Sequence, residues 1–98
     1  MDVHGEYKMP GGKLVVIDLQ VSDGRLADVQ LSGDFFLEPD HALHAINTAL
    51  EGLRADLGRP ALAAAIDAGL PVGVMMYGVS AAAIAEAVHR ALHPGDNA

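Results

Sequence analysis

The sequence predicts an α+β domain: a three-stranded antiparallel β-meander, with two to three helices packed on one face of its sheet. Three observations point there. Residues 13–21 and 25–32 alternate apolar and polar side chains with a period of two. Asp23-Gly24 sits between those runs, a pair that accepts the positive φ angles of a tight hairpin. Beyond Pro39 the spacing changes, with Leu43, Ile46, Leu50, Leu53 and Leu57 recurring every three or four residues. Strands first and helices afterwards imply two layers.

The meander is expected over residues 6–33 and the helical half over 39–93, within one domain spanning 1–98. Residues 6–9 form the first strand, and Pro10-Gly11-Gly12 turns the chain because proline presets φ and glycine tolerates its positive values. In the second strand Val15, Ile17, Leu19 and Val21 share one face. The other face, Leu14, Val16, Asp18 and Gln20, becomes polar along its length, which suits a central strand covered on one side. Ala27, Val29 and Leu31 continue the dry face in the third strand, opposite Asp28, Gln30 and Ser32. Pro39 is expected at the first position of a helix that Gly58 ends, with Asp40 in its first turn. A shorter helix covers 60–68, stopped by Gly69. Residues 70–79 form a buried connector or a short extra strand at 72–77. Ser80 caps a last helix over 81–92, His93-Pro94-Gly95 stops it, and the tail from Asp96 to Ala98 is expected to fray.

Composition narrows the function. A chain of 98 residues with 51% hydrophobic and 19% charged residues is globular. A net charge of −7, with six Lys and Arg in all, argues against nucleic acid and anionic membrane surfaces. No apolar run approaches the roughly 18 residues of a membrane span, and Met1-Asp2-Val3-His4-Gly5 does not read as a signal peptide. The absence of cysteine excludes disulfides and thiolate metal sites, so a cytoplasmic location is expected.

Two segments stand out. Lys8 and Lys13 flank the turn, where Gly11-Gly12-Lys13 could offer backbone N–H groups and an ammonium to a phosphate; on the residues alone the plain glycine-rich hairpin with an edge lysine is the favoured reading. Gly33-Asp34-Phe35-Phe36 closes the meander. Adjacent aromatics in extended chain point opposite ways, so one phenylalanine enters the core and the other faces solvent or a partner. His89 and His93, with Glu86, share a helix face at metal-ligand spacing, but a zinc site needs further rigid ligands, and they are read as solvated helix surface. Asp34 and Glu38 lie at a strand–helix junction where caps are expected. No arrangement amounts to a self-sufficient active site.

Lys8-Met9-Pro10-Gly11-Gly12-Lys13-Leu14-Val15, the Asp23-Gly24 hairpin and Gly33-Asp34-Phe35-Phe36 together resemble the accessory domain of lipoate–protein ligases. Leu50-Glu51-Gly52-Leu53 is similar to that domain's first-helix ending, and Tyr77-Gly78-Val79-Ser80 to the lead-in of its last helix. The resemblance implies an accessory domain or separate subunit without chemistry of its own. It would support ATP-dependent lipoate adenylation by a larger catalytic domain or subunit. Lipoate and ATP belong to that complex, with no cofactor and no metal held by this chain alone. The implied partner-facing residues are Lys8, Gly11, Gly12, Lys13, Gly33, Asp34, Phe35 and Phe36. The competing reading is a free-standing module that binds a small ligand or a metal without catalysis.

Overall fold

The structure, a computed structural model, describes residues 1–94. Its three-stranded antiparallel sheet is the expected meander: β1 (Asp2–Lys8), β2 (Leu14–Ser22) and β3 (Arg25–Gly33), with β2 in the centre. Asp23 and Gly24 adopt φ of 53° and 74°, so both central hairpin residues are left-handed as their types allow. β1 begins at Asp2 rather than at residue 6, because the ladder continues to the chain start: Val21 N–H donates to the Met1 carbonyl at 2.8 Å.

One register detail changes the core. Pairing steps from Asp18↔Gln30 to Gln20↔Ala27, so β3 carries an extra residue there, and Asp28 takes φ of 50°. The bulge reverses the alternation. Leu26, not Ala27, joins Val29 and Leu31 on the buried face. Glu51 holds the bulge, its carboxylate accepting from Val29 N–H at 2.6 Å and Asp28 N–H at 3.2 Å.

The helical half contains α1 (Ala42–Leu50), α2 (Arg59–Gly69) and α3 (Ala81–Leu92). α1 is shorter than its leucine spacing predicts. At its start the chain is still extended through Glu38, so Pro39 goes into a turn closed by Ala42 N–H on its carbonyl at 2.9 Å. At its end Gly52 takes φ of 80°, and residues 52–55 pair with the start of β3. Leu26 N–H donates to the Leu53 carbonyl, Gly52 N–H to the Leu26 carbonyl and Ala55 N–H to the Gly24 carbonyl, each at 2.8 Å. Leu53 and Leu57 therefore meet the core from a loop. α3 is as expected, with Ser80 Oγ accepting from Ala83 N–H at 3.1 Å. The readings that concern Gly95 and the tail from Asp96 lie outside the described residues.

The short strand expected at 72–77 is β5 (Met75–Tyr77). It pairs antiparallel with a strand not anticipated, β4 (Phe36–Glu38), in a separate two-stranded ribbon.

The buried layer lies between sheet and helices and includes Ile17, Leu26, Ile46, Leu50, Leu62, Ile66 and Ile84. Alanines set its thickness. Ala83, Ala87 and Ala91 bring α3 so close to β1 that a Cβ on Gly5 would lie 2.2 Å from the Ala87 carbonyl oxygen and 2.6 Å from Ala91 N. The sheet edges are treated differently. β3's edge is closed by residues 52–55, by Glu51 and by Asn47, whose Oδ1 accepts from Leu31 N–H at 3.0 Å. β1's edge faces outward.

Candidate functional site

The eight residues singled out in the sequence lie around one end of the three-stranded sheet, where the β1–β2 turn, the end of β3 and the β4–β5 ribbon meet. The turn is tight: Gly12 N–H donates to the Met9 carbonyl at 2.9 Å, and Gly11 takes φ of 67°. Lys8 pairs with Leu14 across β1 and β2, and both Lys8 and Lys13 are exposed. The stem of Lys13 lies against Gly78, with its Cγ 2.5 Å from where a Cβ would stand. Gly78 thus makes room for the lysine and also takes φ of 78°.

Gly33 pairs with Val15 at the far end of β3, where a side chain would meet the Leu14 carbonyl oxygen. Exposed Asp34 donates its N–H to that same carbonyl at 3.1 Å, tying the β3 exit to the residue after Lys13. Beyond it the aromatics part as extended geometry requires. Phe35 turns inward, half-buried against the core and beside Gly33. Phe36 turns out and is 57% exposed.

Tyr77 stands opposite Phe36 in the ribbon, their ring centroids 6.0 Å apart. Met75 and Glu38 share this outer face, while Leu37 and Met76 point the other way toward the core. Phe36, Tyr77 and Met75 are each about half exposed, and together they form an apolar patch beside Lys13. Tyr77 and Met75 were not among the residues singled out. Their spacing of two, just before the Ser80 cap, was the signal that could have found them.

The remaining candidates have structural employment. Glu86 bridges Arg59 Nε at 2.7 Å and Arg90 Nε at 3.0 Å. Burial pushes its carboxyl up, but the hydrogen bonds and charges of Arg59 and Arg90 outweigh that and hold it below its usual range. The His89 and His93 rings stack with centroids 4.5 Å apart. Among the described residues no group of three or more His, Cys, Asp or Glu is placed to hold a metal. Asp34 precedes β4 and Glu38 ends it, and neither caps α1, whose N-cap is His41. A cleft of about 440 Å³ opens between α2, α3 and the end of β1, lined by Tyr7, Met9, Pro60 and Ala63, with Arg59 and Glu86 at its polar side. Among the described residues no helix is long and apolar enough to cross a membrane.

His4, on the polar face of the sheet, lies between two carboxylates: Nδ1 is 2.6 Å from Asp18 and Nε2 is 2.7 Å from Glu6. Both contacts are satisfied together only by the imidazolium, and the bonds to Glu6 and then Asp18 raise its pKa above 6.5. A raised pKa in the folded state stabilises the protein below 6.5, and this contribution is lost as pH climbs through the folded value. Urea unfolding across that interval should therefore show stability falling with pH in the native chain, relative to His4→Gln. The effect is small, because the three groups are exposed. Parallel curves for the two proteins would exclude it.

No family model matches the chain, and no curated protein matches it. Among solved structures it is similar to a chain from an archaeal lipoylation system, "a bi-partite lipoate protein ligase and its E2 lipoyl domain", from Thermoplasma acidophilum. The TM-score is 0.73 at 23% identity, over 90% of this chain and 94% of that one. At that identity the likeness shows a shared fold.

Proposed function

We propose that this chain is the accessory component of a lipoate–protein ligase, working beside a separate catalytic chain in the cytoplasm. The observation that carries this reading is the likeness to a chain of a bi-partite ligase system across nearly all of both chains. The surface agrees with such a role. An exposed aromatic ribbon gives a docking face, and Lys13 stands at its border with its stem fixed against Gly78. Adenylation of lipoate from ATP takes place in the catalytic chain, which holds both substrates. This chain contributes orientation and, through Lys13, positive charge at the edge of the adenylate site. That charge favours the acyl-phosphate and departing pyrophosphate anions, and plays no part in the later transfer to a lysine acceptor.

The two half-reactions separate these roles. In the reconstituted complex, Lys13→Ala should slow the reaction of lipoate with ATP about tenfold, or ~1.4 kcal/mol. Transfer from preformed lipoyl-AMP should be unchanged. Equal loss in both assays would assign Lys13 to assembly, and no loss in either would make it an ordinary surface charge. A second reading, a free-standing small-ligand module, draws on the 440 Å³ cleft. Calorimetric titration of the isolated chain with zinc, lipoic acid and ATP distinguishes them: micromolar binding of any one favours the module.

A further inference from the structure

The outward edge of β1 offers a row of backbone donors. Met1 and Val21 exchange both hydrogen bonds, N–H of Val21 to the Met1 carbonyl at 2.8 Å and the Met1 ammonium to the Val21 carbonyl at 3.1 Å. Bonded pairs alternate along an antiparallel ladder, so Val3, Gly5 and Tyr7 bond to β2 through Leu19, Ile17 and Val15. Asp2, His4, Glu6 and Lys8 then direct N–H and C=O away from the sheet. The Glu6 carbonyl accepts from Arg90 Nη1 at 3.4 Å, which leaves it a second lone pair.

We propose that this edge receives an extended strand of the catalytic partner, which joins the sheet beside β1. The inference rests on the accessory reading above and adds a second contact to the aromatic face. Three features favour a strand. The outward donors recur every second residue, about 6.8 Å apart, a spacing matched by the carbonyls of another extended chain. The opposite edge is closed by the backbone of residues 52–55 and the side chains of Glu51 and Asn47, whereas β1 has neither proline nor bulge. A groove of about 270 Å³ runs beside it, lined by His4, Gly5, Glu6, Arg90 and Pro94. β1 also leads directly into the Met9–Lys13 turn, so an added strand would be continuous with the docking face.

A second copy of this chain fits the edge worse. Antiparallel self-pairing centred on Gly5 would match Asp2 with Lys8 and His4 with Glu6, an attractive charge pattern. But α3 touches Gly5 from beneath, with the Ala87 carbonyl 2.2 Å from its Cβ position. Strands lie about 4.8 Å apart, so the two α3 helices would meet at less than the 8–10 Å that packed helices require. The added strand comes from a chain with no helix beneath its own edge. Its polar face carries both signs of charge, to suit a row in which Asp2 and Glu6 alternate with His4 and Lys8.

Amide hydrogen exchange of the full chain, with and without a lipoate ligase catalytic chain, tests this. In the complex the amides of His4, Glu6 and Lys8 should slow at least tenfold, while those of Val3, Gly5 and Tyr7 are already slow in the free protein. His4→Pro removes one outward donor and leaves the bonds to β2 intact, as proline on an edge strand allows. It should weaken the complex at least tenfold, whereas His4→Ala, which keeps the N–H, should weaken it less than threefold. A complex that forms without slowing the three amides overturns strand addition and leaves the accessory reading standing. No complex overturns both. Protection of the same amides in a dimer of this chain alone overturns the proposal in favour of self-pairing.

Discussion

Gly5→Ala should strongly destabilise the domain by forcing the sheet and α3 apart. A Cβ there meets the Ala87 carbonyl oxygen at 2.2 Å and the Ala91 nitrogen at 2.6 Å. Those atoms are helix backbone, so no side-chain rotation relieves the contact and α3 must withdraw from β1. Overpacked cores lose ~1–3 kcal/mol, and an unyielding contact belongs at the upper end. For a domain of this size, ~3 kcal/mol lowers Tm by roughly 12–24 °C. Gly11→Ala is the comparison: its φ of 67° is unfavourable for a side chain, but nothing lies within 4 Å, so its cost is backbone strain of about 1 kcal/mol. Adding Ala91→Gly to the Gly5 variant should not restore stability, since the clash is with main-chain atoms. Thermal unfolding that ranked Gly11→Ala as the worse change, or a rescue by Ala91→Gly, would disprove this account of the sheet–helix contact.

The same close approach marks how far the sequence could be read. The meander, its central strand, the Asp23-Gly24 hairpin and the Ser80-capped helix follow from local rules, because each depends on residues adjacent in sequence. What escaped depends on distant partners. The bulge at Asp28 is held by Glu51 from the other half of the chain, and the parity change that brings in Leu26 has no local signature. α1 stops at Leu50, although Leu53 and Leu57 continue its spacing, because residues 52–55 are better satisfied against β3. Strand β4 was hidden because a three-residue segment carries too little alternation, and its pairing with β5 joins positions about 40 residues apart. In the candidate site, the opposed directions of Phe35 and Phe36 were legible from extended geometry. The company of Tyr77 and Met75, and the fit of Lys13 against Gly78, were not.

Phe36→Ala should separate association from folding, which Phe35→Ala cannot do. Phe36 is 57% exposed and rests on Tyr77 rather than on the core, so its removal costs the isolated chain little. Phe35 is half-buried among core residues and lies beside Gly33, so truncating it leaves a cavity and lowers Tm. Against the catalytic chain the order reverses. An aromatic anchor at the centre of an interface contributes ~2 kcal/mol or more, so Phe36→Ala should raise the Kd about thirtyfold with Tm nearly unchanged. Tyr77→Ala should act in the same direction, since the two rings form one surface, and the double variant should lose less than the sum of the two. Charge plays little part at this patch, so the loss should persist in high salt, unlike a contact made through Lys13. If Phe36→Ala unfolds the chain, the ring is core and not interface. If it leaves both Tm and Kd unchanged, the ribbon's outer face is not where the catalytic chain docks.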